Sequence, residues 1–146
     1  MSAAPDDSLA HLQRRLLESS LRGAEPDGEV RFDATGNLAA DLGLRRLFDH
    51  FLSLHGEFSP GEIRDLIADA IRRRHGDAAA AQALAWFDRY TGLLRAIDAA
   101  LMPPDPTARA GLLRTLRRNH LGEQAAAAMF GTEEAALDLA LARHAV

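Results

Sequence analysis

A chain of 146 residues with a formal net charge of −4 has room for one domain, or for a small domain plus an arm. All 17 basic residues are Arg and Cys is absent, which excludes a P-loop lysine, a Schiff base, a disulfide, a thiol nucleophile and a thiolate metal site. The mild negative charge leaves no electrostatic footprint for nucleic acid, and no apolar run reaches the ~18 residues of a membrane span.

Residues 1–7 read as a disordered stub, and "MSAAPDDS" has neither the basic nor the apolar region of an export signal. Ser8 is positioned to cap a first helix, "LAHLQRRLLES", with Leu9, Leu12, Leu16 and Leu17 on one face. "SLRGAEPDG" breaks it. Val30 and Phe32 then alternate with charged residues ahead of the turn residues "ATGN", which predicts a short hairpin-like segment. From Asp41 the period changes. Leu44, Leu47, Phe48, Phe51 and Leu52 follow the i, i+3, i+4, i+7, i+8 pattern of a helix with one wide apolar stripe, ending at Gly56.

"SPGE" at Ser59–Glu62 is a capping box with Pro60 at the first helical position. The helix it opens turns Ile63, Leu66, Ile67 and Ile71 inward and closes on "RRRHG", with cations at the negative end of its dipole. Asp77 is placed to cap a third long helix reaching about Leu101, with Leu84, Phe87, Leu94, Ile97 and Leu101 as its core. Trp86 and Tyr90 share a face of it, either as core or as a partner-facing patch. "MPPDP" is the strongest boundary, and Asp105–Pro106 opens another helix through about His120. Gly122 and Gly131 punctuate the remainder, and Thr132 is placed to cap a last helix.

The fold predicted is all-α: a small three-helix bundle followed by an extended helical arm. The divisions are 1–18 (stub and short helix), 19–102 (mini-domain) and 103–146 (arm). The arm packs on the bundle, on another chain or on sequence beyond this one.

Few residues offer chemistry. Arg45 and Asp49 lie four apart and read as a surface pair. His50 and His55 are five apart, which is not a metal-ligand spacing on a helix, and no HExxH occurs. No Ser sits in GxSxG, so neither an enzyme nor a cofactor is indicated. "AAAAMFGTEEAALDLALAR" loosely fits a helix-turn-helix, but Glu133, Glu134 and Asp138 on the second helix would face phosphates, which argues against a nucleic-acid partner.

Two stretches carry a resemblance. "SLRGAEPDG" followed by "RRLFDHFLS" resembles the lipase-specific foldases, or lipase secretion chaperones, which carry SLRGT-x-x-DG and then RxxFDY(F/C)L(S/T)A. Ser20, Leu21, Arg22, Gly23, Asp27 and Gly28 match the first motif, with Ala24 in place of Thr. Arg45, Phe48, Asp49, Phe51, Leu52 and Ser53 match the second, with His50 in place of Tyr and Leu54 in place of Ala. "RRNHLGEQAAAAMFGTEEA" resembles the family's arm, and the likeness runs from about Ser19 to Val146, the first mini-domain and the start of the arm.

The resemblance implies a steric chaperone that uses no nucleotide. Its partner would be a secreted triacylglycerol lipase, bound directly in the periplasm. Family members are anchored in the inner membrane, whereas this chain shows no anchor. On that reading Phe48, Phe51 and Leu52 build the core. Arg45, Asp49, His50 and Ser53 orient a surface, either within the domain or toward the lipase. The alternative is a helical interaction or regulatory module that keeps the scaffold without the lipase, motivated by His50 and Leu54.

Overall fold

The computed structural model describes residues 5–21 and 28–144. Among them are six helices and no strand longer than an isolated bridge: α1 Pro5–Leu17, α2 Leu42–Leu52, α3 Pro60–His75, α4 Asp77–Ala99, α5 Pro106–Leu121 and α6 Glu123–His144. The fold is all-α. By contacts the chain divides into a first unit, Met1–Ala39 with Gly43–Ala85, and a second, Ala40–Leu42 with Trp86–Val146.

In the first unit, α1 begins at Pro5, three residues ahead of the predicted cap, so Ser8 lies inside the helix. Proline is suited to a first turn. Leu12 is buried, but Leu17 is 70% exposed and does not join the predicted face. The helix closes with Ser19 Oγ donating to the Leu16 carbonyl at 2.6 Å. It is tied to α3 by Gln13, whose Nε2 donates to Asp69 at 2.8 Å. The same carboxylate oxygen also meets a cation of its own helix: Arg73 Nε lies 3.1 Å from Asp69 Oδ2, which explains how an acidic residue is buried here.

The hairpin-like segment is present. Phe32 and Leu38 form an antiparallel bridge, and the Asp33 N–H donates to the Asn37 carbonyl across its turn at 2.8 Å. The Asp33 carboxylate accepts from the Thr35 hydroxyl and from the Thr35 and Asn37 amides, which lowers its pKa. Gln82 of α4 pins the returning limb, accepting from the Leu38 N–H at 2.7 Å.

The apolar stripe of α2 is buried at Leu44, Leu47, Phe48 and Phe51, while Leu52 is half-buried. The helix stops at Leu52, not Gly56. Leu54 and His55 donate back to Phe51 and Leu52 in a tight turn, which carries Leu54 inside to complete burial. The capping box of α3 is fully formed: Ser59 Oγ accepts from the Glu62 N–H at 3.1 Å, and Glu62 Oε1 accepts from the Ser59 N–H at 2.9 Å. Ile63, Leu66, Ile67 and Ile71 are buried as the spacing predicts.

The core side of α4 differs from the prediction. Ala79, Ala80, Ala83, Phe87, Tyr90 and Leu93 are buried, Leu84, Leu94 and Ile97 are only half-buried, and Leu101 lies beyond the helix, 95% exposed. Alanines decide the inward face here, and alanine carries too weak a hydrophobic signal to reveal it in advance. In the second unit Tyr90 stacks on Phe130 with ring centroids 6.4 Å apart. Trp86 stays half-buried under the Arg89 guanidinium.

Asp105 caps α5, accepting from the Ala108 N–H at 2.9 Å, and Gly122 ends it. α6 then runs unbroken through Gly131 and Thr132, which removes both the predicted cap and the turn of a helix-turn-helix. A single Gly costs a helix interior about 1 kcal/mol, and its Ala-rich neighbours tolerate that. α5 and α6 pack on each other, so the arm segment has a partner element of its own.

Phe48 is fully enclosed. Phe48→Ala is expected to lower stability by about 3–5 kcal/mol, and Leu101→Ala by no more than about 0.5 kcal/mol, in urea melts followed by circular dichroism.

Candidate functional site

The two signature stretches meet through a glycine. Gly28 has φ +84° and lies against the first turns of α2. A Cβ there would collide with the Gly43 carbonyl oxygen, lie 2.7 Å from the Leu47 nitrogen and 2.9 Å from Arg46 Cβ. Two of these atoms are backbone, so nothing flexible can yield. The last residue of the first motif is thereby seated on the helix that carries the second.

On α2 the motif residues separate by depth. Phe48 and Phe51 are core. Arg45 Nε and Asp49 Oδ2 are 3.8 Å apart, with side chains 20% and 48% exposed; this is an ion pair without a hydrogen bond's short distance. His50 is half-buried, its ring edge-on to Phe51 at 5.3 Å. Ser53 Oγ donates to the His50 carbonyl at 2.6 Å and so serves to close the helix. Leu52 is half-buried and Leu54 is buried.

The start of the first motif is held by groups that sequence reasoning missed. The Glu57 carboxylate accepts from the Ser20 N–H at 3.1 Å and from the Ser20 hydroxyl at 2.7 Å. Arg15, at the end of α1, donates to the Glu57 carbonyl at 2.9 Å and to Glu62 Oε2 at 2.5 Å, and its guanidinium lies 4.4 Å above the Phe58 ring. Glu62 thus serves both the α3 cap and Arg15. Its pKa is lowered first by the Ser59 amide and then by Arg15. Leu21 is half-buried, and its N–H donates to Ser19 Oγ at 3.2 Å. Arg22, Gly23 and Asp27 lie outside the described residues.

Beside Gly28 a cleft of about 460 Å³ has Val30, Leu47 and Ile71 among its apolar walls and Glu29, Arg74 and His75 among its charged ones. Among the described residues no three His, Cys, Asp or Glu side chains gather closely enough to hold a metal ion. No described helix is long and apolar enough to cross a membrane.

The "RRNH" and "FGTEE" pieces of the third stretch also meet, within the second unit. Glu134 is buried and accepts from Arg118 at 3.0 Å through each oxygen, and from Arg117 at 3.1 Å. Arg117 lies 4.3 Å over the Phe130 ring. Arg118 also reaches Glu123 at 3.2 Å, and Arg114 pairs with Asp138 at 2.7 Å. Burial alone would raise the Glu134 pKa; hydrogen bonds from Arg118 and Arg117 outweigh it and hold the carboxyl below its ordinary value. Only the planar, multi-donor guanidinium serves two acceptors while stacking on a ring.

Two outcomes are expected. Gly28→Ala combines a left-handed backbone with a backbone collision and should lower stability by about 2–4 kcal/mol. Gly36→Ala, where φ is +86° but a Cβ meets open space, should cost only about 1–2 kcal/mol. Equal losses in urea melts would remove the close approach from the account. Glu134→Gln should cost about 1.5–3 kcal/mol at neutral pH. Because the folded pKa is depressed, that contribution is fully present above the ordinary value of 4.5 and is lost as pH falls through the folded value. Wild type and variant should therefore converge on acidification.

No family model matches the chain. Among curated proteins it is similar to the lipase chaperone of Chromobacterium violaceum, 34% identical over 79% of this chain and 38% of that protein. It is 36% identical to that of Pseudomonas wisconsinensis over 80% of this chain and 37% of the relative. It is 34% identical to that of Stutzerimonas stutzeri over 89% and 41%. The chain spans about two-fifths of the length of these relatives. The resemblance carried by the two motifs thus extends over most of the chain, and the chain belongs to the lipase chaperone family.

Proposed function

We propose that this chain is a lipase-binding portion of a steric chaperone. It binds a secreted triacylglycerol lipase directly, assists its folding without nucleotide or cofactor, performs no catalysis of its own, and acts in the periplasm. The relatives are named lipase chaperones, and that shared identity over most of this chain supports the reading. The structural observation that carries it is the knitting of both signature stretches into one unit: Gly28 seated on α2, and Ser20 fixed to the turn that follows it.

A folding catalyst accelerates by binding the barrier-top or near-native state of its client better than the states on either side. Such discrimination needs a surface that does not reshape itself to every client conformation. The α2 helix fits that need. Its buried Leu44, Leu47, Phe48 and Phe51 hold it fast, while Arg46 and Asp49 remain exposed and His50 half-exposed on its outer side.

The rival reading, an interaction module without a lipase, rests on the departures at positions 50 and 54. Leu54 is fully enclosed, so that departure fills the core and does not touch a partner-facing surface. His50 alone remains in its favour.

The test is co-refolding of a secreted triacylglycerol lipase from the same organism, unfolded in guanidinium and diluted with and without this chain. A complex on a sizing column and recovered ester hydrolysis above the spontaneous level are expected. No complex and no recovery would reject the lipase reading, and a pull-down enriched in a different protein would favour the module.

A further inference from the structure

The first motif is gripped from outside both motifs. Ser20 opens it, and both polar groups of Ser20 available to a carboxylate, the N–H and the hydroxyl, donate to Glu57. Glu57 in turn is not left to wander on its loop: Arg15 holds its backbone carbonyl, and the same guanidinium is clamped by Glu62 and by the Phe58 ring. Glu62 is itself fixed by the α3 capping box. A chain of polar contacts thus runs from the rigid start of α3 to the first residue of the motif, 37 positions away from Glu57 in sequence. At the other end Gly28 is seated on α2.

We propose that Glu57 is a positioning residue for lipase binding. It fixes Ser20 in the geometry the lipase meets, and Arg15 acts behind it. This rests on the lipase reading above. Glu57 is exposed and adds nothing to the core, so its removal should change presentation far more than stability. The carboxylate is suited to the role because it accepts from two donors at once, whereas a loop held by backbone bonds alone would leave the Ser20 hydroxyl to water.

The experiment measures the affinity of the whole chain for an unfolded-and-diluted secreted triacylglycerol lipase of the same organism, by titration of recovered ester hydrolysis, with wild type, Glu57→Ala, Glu57→Gln and Ser20→Ala. Asp98→Ala, an exposed site on α4, serves as the charge control. Glu57→Ala should raise the half-saturating concentration about five- to tenfold while leaving the maximal recovery and the thermal midpoint nearly unchanged. Ser20→Ala should not add to it, and Glu57→Gln, which keeps an acceptor oxygen, should restore part of the affinity. Hydrogen exchange at the Ser20 amide should quicken in Glu57→Ala and not in Asp98→Ala. Binding by wild type with no change in Glu57→Ala would overturn the positioning role alone. A thermal midpoint lowered in proportion to the lost affinity would reassign Glu57 to stability and overturn it too. No binding by wild type would overturn the lipase reading on which it rests.

Discussion

Gly28 lies on α2 because it has no side chain, and the first unit is arranged around that approach. A Cβ at this position would strike the Gly43 carbonyl oxygen and crowd the Leu47 nitrogen. Main chain on main chain is the least forgiving contact a fold contains, because neither side can change rotamer to relieve it. The positive φ of Gly28 adds a second reason for glycine at the same position. With Gly28 seated there, Leu44, Leu47 and Phe48 of α2 are buried.

The turn between α2 and α3 plays the complementary part. Within a few residues it supplies Leu54 to the core, Glu57 to Ser20, Phe58 to the Arg15 guanidinium and Ser59 to the α3 cap. None of the polar contacts is strong alone; exposed ion pairs contribute about 0–1 kcal/mol. They act together because Arg15 is multidentate and Glu62 is shared between two partners, so loss of either member loosens both α1 and the motif. Coupling of this kind makes the effects of substitution non-additive within the group. It also explains why α1 belongs with the motif-bearing elements although its own sequence carries no part of either motif.

The second unit solves a similar problem with charge. α5 and α6 offer mostly alanine and leucine to one another, which allows close packing but specifies rotation poorly. Glu134 supplies the missing specification. A buried carboxylate is costly unless every acceptor site is filled, and only one rotation of α6 presents it to Arg117 and Arg118 together. Phe130, one turn earlier, completes the choice by lying beneath Arg117 and beside Tyr90. The third stretch of resemblance is therefore a record of helix register in this unit.

What was legible in the sequence was local. The capping box at Ser59, the Asp105 cap, the Asn37 turn and the stripe of α2 each depend on spacings of four residues or fewer, repeated where needed, and each is found in place. The inward faces of α4 and α6 were not legible, because alanine is buried at Ala83 and exposed at Ala81 with nothing in the residue to tell them apart. The partners of Arg15, Ser20 and Glu134 were hidden for another reason. With 17 arginines and 21 acidic residues, composition permits almost any pairing, and the pairs that form are separated by 47, 37 and 16 positions. Resemblance located Ser20 and Gly28 but gave no reason for them; the fold supplies it. A serine is needed where two donors meet one carboxylate, and a glycine where a loop meets a helix backbone. The buried residues of the second motif are spent on the core, while Arg46 and Asp49 stay exposed and His50 half-exposed on the outer side of α2.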